Sequence, residues 1–456
     1  MISSCFDPHR WAEQTFGTVD LGDRRRTRRA VSMAACMLRR PSASLPEQMR
    51  TMPALKAAYR LLEREVVTQP ALSSPHWHQT RQAASRQPLV LLIQDTTEVD
   101  YTPHPATTGL GPIGDGRGQG YLLQTILAVI PTPRHLLGVA YQEPFLRQPA
   151  PDHKVGAAQR RQRDRESQVW LRAVQAVGAP PPECTWVHVG DRYADIFDFM
   201  ETCRQHHGHF LVRAAQERRV QTEEANVTYL LSFARSLPAV DQQAMAIPAR
   251  RGQAARQTVV SIAFQAVMLL PPRHSPEKAA LPVWVIRVWE DDPPAEVEAL
   301  EWVLITSLPT KSIPAAWERR DWYGCRWLSE DYHQCLKTGC CIEQRQLQTG
   351  EGLQRLLGLL GPVAVQLLQL REVARLQPAT LALAQLPREL VAVVATLANM
   401  PLTTLTMERF WREVARQGGY LGRRRDGPPG WKTLWRGWLY IQTLLEGIHL
   451  ASHIPP

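Results

Sequence analysis

A chain of 456 residues, 44% of them apolar, is too long for one small core and has the composition of an ordinary globular protein of two to four domains. Its most apolar run, Leu356 to Val365, is ten residues long and contains Pro362, which excludes a membrane span; the opening MISSCFDPHRWAEQTF has no basic segment followed by an apolar stretch, so a cytoplasmic protein is expected. The net charge of +10 lies at the two ends: residues 1–60 hold 11 Lys+Arg against 5 Asp+Glu, residues 401–456 hold 8 against 4, and the 340 residues between them balance. Basic ends around a neutral middle suit a polyanion gripped by the termini.

In chain order, residues 1–68 are expected to be helical, with periodic apolar positions in RRAVSMAACMLRR and MPALKAAYRLLERE and a loop at PSASLPEQ. The basic start of the first helix, with Arg24, Arg25, Arg26 and Arg28, is read as a DNA-backbone contact; a solvated face is the plainer alternative. QPLVLLIQD is a short apolar run of the kind that forms a buried central strand, and it ends at Asp95. YLLQTILAVIP and HLLGVAYQEPF read as strands, RRQRDRESQVWLRAVQAVG as a helix, and CTWVHVGD as a buried strand ending at Asp191. ADIFDFMETCRQ is then helical and HFLVRA a strand, so the fold class is α/β. From about 215 to 300 the segments are β-rich with Pro-containing turns, an insertion closed by LEWVLITS.

The helix in RRDWYGCRWLSEDYHQCLKTG follows. Tyr323, Arg326, Glu330 and Lys337 fall within about 60° of one another at about 100° per residue, so an unbroken helix carries them on one polar stripe. A solvated face and a ligand-facing stripe both satisfy that spacing. GLQRLLGLLGPVAVQLLQLREVAR is a largely buried helix expected to be interrupted at Gly361-Pro362. The tail, residues 377–456, is helical: one helix starts after Thr406 and stops at Gly418-Gly419, and the last carries Trp431, Leu434, Trp435, Trp438, Ile441, Leu445 and Ile448 on one face, for its own domain or for a partner.

Two decoys are set aside. The Cys203/His206/His207/His209 and Cys325/His333/Cys335/Cys340/Cys341 clusters lack the paired spacing of a zinc site, and the eight cysteines are read as free thiols. Gly109 to Gly114 fits G-x-G-x-x-G, but no helix can open across GPIGDGRGQG, so a flexible loop is expected there. What remains is two strand-end aspartates and a helical glutamate, the carboxylate set that two-metal phosphoryl chemistry needs.

These residues resemble the DDE transposases of the IS-four family of bacterial insertion sequences, particularly its Tn-five branch, over nearly the whole chain. Tyr323, Arg326, Glu330 and Lys337 match the family's Y-x₂-R-x₃-E-x₆-K signature at full spacing, QDTTEVDY resembles the segment of the first catalytic aspartate (Asp95), and GDRYADIFDF that of the second (Asp191). WAEQTFGTVDLGDRRRTRR and GGYLGRRRDGPPGWKTLWRGW are similar to the family's ends. The resemblance implies a ribonuclease H-like catalytic core over residues 69–376 with the β insertion inside it, an N-terminal helical domain (1–68) that reads transposon-end DNA, and a C-terminal dimerisation region (377–456). It implies two Mg²⁺ ions, or Mn²⁺ in their place, on Asp95, Asp191 and Glu330, with Tyr323, Arg326 and Lys337 on phosphates near the cut. It also implies hydrolytic nicking, hairpin formation by the freed 3′-OH, hairpin opening and strand transfer into target double-stranded DNA by a homodimer. Trp302 aligns with a tryptophan that stacks on a flipped base, although a core tryptophan suits its apolar strand equally well, and Arg213 aligns with a DNA-contacting arginine that needs a phosphate or acid as partner. Gln124 and Gln334 depart from the family pattern, where His and Lys are usual. A catalytically silent DNA-binding regulator and a general nuclease are the alternative readings.

Overall fold

The computed structural model describes residues 7–147, 166–247, 256–294, 297, 299–376, 378–423 and 426–453. Four helices come first: α1 (Pro8–Phe16), α2 (Arg24–Arg39), α3 (Leu45–Met49) and α4 (Met52–Leu62). Each has a start signal, since Asp7, Asp23 and Thr51 cap α1, α2 and α4, and Ser44 with Glu47 forms a capping box on α3. The expected loop at PSASLPEQ is therefore partly helix. A fifth helix, α5 (Gln69–Ala84), was not expected, because its buried positions mix Leu72 and Trp77 with Gln69, Ser73 and Thr80 and so carry no clear apolar period.

The sheet begins with β1 (Leu89–Asp100), β2 (Gly111–Ile113), β3 (Gly118–Ile130) and β4 (His135–Phe145). Helix α6 (Gln168–Val177) precedes β5 (Thr185–Gly190), and α7 (Phe197–Gln205) precedes β6 (His209–Arg213). Residues 160–165 of the expected helix lie outside the described residues. β4, β3 and β1 are successively antiparallel, and β5 and β6 run parallel to β1, giving the order β4-β3-β1-β5-β6. The G-x-G-x-x-G segment supplies β2, an edge strand on β3, where a flexible loop was expected.

The insertion comprises β7 (Arg219–Gln221), β8 (Val227–Tyr229), α8 (Leu230–Ser236), β9 (Asp241–Ile247), β10 (Arg256–Leu269) and β11 (Leu281–Glu290). It does not stand apart as a separate layer. The closing strand β12 (Glu301–Thr306) pairs with β6 on one side and β11 on the other, so core and insertion share one twelve-stranded sheet. Pairing β12 against β6 covers what would otherwise be an exposed edge, and a common apolar cluster joins Trp170, Phe199 and Phe210 of the core to Val267 and Val283 of the insertion.

After β12 come α9 (Ile313–Gly324), α10 (Trp327–Gln334), a π turn (Cys335–Gly339) and α11 (Gly350–Leu376). The interruption expected at Gly361-Pro362 is absent: α11 runs through Pro362. An interior proline costs about 3 kcal/mol. Burying Leu356, Leu357, Leu359, Leu360, Val363 and Val365 returns roughly 1.5–3 kcal/mol each, so packing wins. This helix is the hub of the molecule, touching α2, α5, β4 and the tail helices α13 (Met407–Gln417) and α14 (Trp431–Ala451); α12 (Arg388–Leu397) packs on those last two. Two buried arginines stitch the N-terminal helices to this hub. Arg345 donates to the carbonyls of Pro41, Ala43 and Cys340, and Arg355 donates to that of Leu62 (2.9 Å).

The apolar face of α14 divides. Trp431, Leu434, Trp435, Trp438 and Ile441 are buried within the chain, with Trp438 against Trp411 (5.7 Å), whereas Ile448 is exposed. No helix among the described residues is long and apolar enough to cross a membrane, and their seven cysteines are free thiols. Backbone meets backbone where α13 ends on α14: a Cβ on Gly437 would run into the carbonyl of Val414, and one on Gly418 into that of Thr433. Gly437→Ala is accordingly expected to destabilise the tail by about 1–3 kcal/mol. Denaturant titration followed by circular dichroism reads the effect, and a variant melting with wild type would show that the two helices do not meet there.

Candidate active site

The parallel pairing of β1 and β5 sets the site. Its last matched pair is Ile93 with Val189, so two residues further along each strand Asp95 stands in line with Asp191. Strand β5 stops at Gly190, where a Cβ would strike Ala194 and crowd Trp170, and Asp191 caps the short 3₁₀ turn Arg192–Ala194 by accepting from Tyr193 N (2.8 Å). The turn is pinned from behind by Asp195, a buried carboxylate that accepts from Ala215 N, Gln216 N (both 2.8 Å) and Arg218 Nε (2.6 Å). β1 continues past the end of β5, which leaves Asp95 on its open side with α10 packed across it.

Both acids are poorly solvated. Burial raises Asp95 above the ordinary aspartate range; the Ser329 hydroxyl, Arg326 and Thr96 N pull the other way. Asp191 is also raised, first by burial, with its backbone bond to Tyr193 opposing and Asp95 adding repulsion. Asp95 Oδ1 accepts from Thr96 N (3.0 Å) and Oδ2 from Ser329 Oγ (2.9 Å), while Arg326 and His333 nitrogens stand 3.9 Å from Oδ2. His333 is enclosed, and burial pushes it down to about 3, so it is neutral.

On the far side of β1 a buried polar chain braces the strand. Thr96 Oγ1 donates to Gln124 Oε1, Gln124 Nε2 donates to Gln94 Oε1 (3.1 Å), and Gln94 Nε2 donates to His188 Nδ1 (2.8 Å). Burial drives His188 to about 3, leaving its Nδ1 an acceptor. Gln124 thus ties β3, β1 and β5 together behind the two aspartates.

The single polar stripe is realised only in part. The helix is interrupted at Cys325 and Arg326 and passes into a π turn at 335–339; Tyr323, Arg326 and Glu330 still line one cleft, whereas Lys337 turns away from it. Tyr323 is buried (2% exposed), close to Arg213 and Arg326. Arg326 is bound to Glu330 (2.8 Å), whose side chain is 53% exposed. Lys337 pairs with Glu343 (3.0 Å), which in turn accepts from Asp100 N at the other end of β1. Arg213, expected on a phosphate or acid, donates to the Glu301 carbonyl (2.9 Å) and is bonded to the Tyr323 phenol. Of the basic helix start, Arg24, Arg25 and Arg28 are exposed; Arg26 is turned back onto the Leu21 carbonyl (2.7 Å). Cations in a first turn oppose the helix dipole, so those exposed arginines do not serve the helix.

A cleft of about 990 Å³ runs from Arg213, Tyr323, Arg326 and Glu330 to the insertion; Asp95 and Asp191 do not line it. Its wall carries six arginines (192, 213, 235, 256, 287 and 326) against three glutamates (290, 301 and 330), an excess that suits a polyanion. Trp302 both belongs to the core cluster and lines this cleft, with its ring 5.3 Å from Tyr323 and 5.8 Å from Trp327. Trp327 is half-buried in the same wall. The insertion arginines were not recognisable beforehand, since only the β11–β12 pairing brings them here. Gln334 accepts from the Trp431 indole (3.1 Å), a structural bond to the tail.

The donor set suits a hard divalent cation: carboxylate oxygens, two of them from acids that burial makes reluctant to ionise alone. In this arrangement Arg326 provides the compensating positive charge, and among the described residues no group of three or more His, Cys, Asp or Glu is gathered closely enough to hold an ion. Glu330 is held on Arg326 and is not gathered with the aspartates.

Comparison with known families bears on both ends of the chain. Residues 8–67, the first four helices, match a family model described as transposase DNA-binding. Residues 368–454, the end of α11 through α14, match one described as the transposase Tn5 dimerisation domain.

Because burial makes Asp95 harder to ionise in the folded chain than in the unfolded one, stability falls as pH rises through the ordinary aspartate value and on to the raised one. Asp95→Asn is therefore expected to melt above wild type at neutral pH in chelator, with the gap closing below about pH 4; no gap at neutral pH would refute the burial cost. Trp431→Phe, which removes the bond to Gln334 together with the outer ring atoms that lie over Gly339, should cost at least about 1 kcal/mol in chemical denaturation. A change within error would mean that this bond contributes nothing to anchoring the tail.

Proposed function

We propose that this chain, which belongs to the Tn5-like transposases, is a cut-and-paste DNA transposase whose phosphoryl-transfer centre is Asp95, Asp191 and Glu330. It binds DNA through its N-terminal module and dimerises through its C-terminal one. One observation carries the chemistry: Asp95, within β1, and Asp191, just past the end of β5, stand in line two residues beyond the last matched pair of those parallel strands, and the helix across them presents Arg326 and Glu330. The order β4-β3-β1-β5-β6, antiparallel and then parallel, supports a ribonuclease H-like core around them.

Asp95, Asp191 and Glu330 would hold Mg²⁺, or Mn²⁺ in its place, two ions per site. Such ions supply Lewis-acid stabilisation of the phosphoryl oxygens and acidify the attacking water or 3′-OH. The protein's own groups bind and orient. Arg326 has a buried Nε without an acceptor, so a phosphate is a natural second partner for it, and moving onto that phosphate frees Glu330. Arg192 and Arg213 line the same cleft and continue the track for the backbone. Trp302 and Trp327 offer adjoining aromatic faces for a base turned out of the stack, as a hairpin route requires. Exposed Arg24, Arg25 and Arg28 on α2 engage the transposon end. The reaction is nicking at that end, hairpin formation and opening, and transfer of the 3′-OH into target DNA.

Asp95→Ala, Asp191→Ala and Glu330→Ala should each lower nicking of DNA carrying the flanking inverted repeats by at least about 10³-fold while leaving retention of that DNA in a gel within about twofold. Cleavage in Mg²⁺ by all three variants would refute the assignment.

A further inference from the structure

We propose that Ser329 is a positioning residue for Asp95, fixing the first carboxylate and the spacing between its strand and the helix that carries Glu330; the inference rests on reading Asp95 as a metal-binding acid. Ser329 is completely buried, on the face of α10 that packs on β1. Among the described residues its hydroxyl is the one side-chain group within hydrogen-bond distance of the Asp95 carboxylate, at 2.9 Å from Oδ2. The other two candidates, Arg326 and His333, stand at 3.9 Å, too far for a hydrogen bond.

The carboxylate is thereby held from two directions. Thr96 N, from its own strand, takes Oδ1; Ser329, from a helix 234 positions further along the chain, takes Oδ2. With both oxygens engaged the plane of the carboxylate is set before any ion arrives. Ser329 also immediately precedes Glu330 and is three residues beyond Arg326, so one contact locates the segment bearing the third acid and its counter-ion. Outer groups that orient ligands in this way typically change metal affinity by 10- to 100-fold.

A simpler role exists for the same side chain. Ser329 Oγ lies 2.8 Å from the Arg326 carbonyl, and a serine bonded back to its own helix needs no tie to the site. The hydroxyl has one proton, and a carboxylate is a stronger acceptor than a helix carbonyl.

The test uses the full chain as wild type, Ser329→Ala and Ser329→Thr. Mn²⁺ affinity of the DNA-free protein is measured from the free-ion electron paramagnetic resonance signal, alongside the Mg²⁺ dependence of end nicking, end-DNA retention and thermal melting. Ser329→Ala is expected to bind end DNA as wild type does, to weaken Mn²⁺ binding about tenfold and to raise the Mg²⁺ concentration for half-maximal nicking in parallel; Ser329→Thr restores most of both. Unchanged Mn²⁺ affinity in Ser329→Ala, with or without a lower melting temperature, overturns the proposal, and so does a Thr variant as weak in Mn²⁺ binding as Ala despite melting like wild type. If the wild type fails to nick but Ser329→Ala still loses Mn²⁺ affinity, the transposase chemistry falls and the positioning role stands.

Discussion

Placing two carboxylates side by side at the end of a buried parallel strand pair is expensive, and much of the local architecture answers that cost. Desolvation raises both Asp95 and Asp191, and each also feels the other or its neighbours. The answers come from four elements: an amide from β1, an amide from the turn after β5, a hydroxyl from α10, and the Arg326 guanidinium at longer range. None is a full counter-charge. The site therefore stays short of positive charge, and Arg326 divides its attention between Asp95 and Glu330. A chain that only needed stability would place apolar residues here, and the retained cost accords with the phosphoryl-transfer role proposed for the two acids.

The two strands were legible, but only Asp191 stands at a strand end: β1, expected to stop at Asp95, runs on to Asp100 because β3 keeps pairing with it. QPLVLLIQD and CTWVHVGD are short apolar runs bounded by an acid, and a parallel sheet buries such runs on both faces. Glu330 was legible through its spacing to Tyr323 and Arg326. The geometry of that stripe was not, because a break after Gly324 and a π turn at Cys335 leave no periodic trace. Pro362 misled in the opposite sense, since the packing that holds α11 straight is supplied by three distant parts of the chain. The cleft arginines and Trp327 were hidden for a related reason: β12 must first pair with β11 and β6 before they share a wall.

The two departures from the family pattern acquired different meanings. Gln124 is completely buried, and its amide uses both a donor and an acceptor, one toward Gln94 and one toward Thr96. It braces the backbone on which Asp95 stands. Gln334 belongs to the join with the tail. Neither role can be inferred from residue type, because each depends on what lies across the contact.

That join has a mechanical consequence. The Trp431 indole bonds Gln334, just before the π turn, and its ring lies over Gly339, the last residue of that turn, in van der Waals range of where a Cβ would stand. The first residue of α14 thus clasps both ends of an irregular turn that begins five residues after Glu330. A rotation of α14 about its own axis large enough to carry Trp431 off Gly339 would unclasp the turn and let the end of α10 shift. Whatever sets the pose of the last helix therefore bears, through Trp431, on the turn that follows α10.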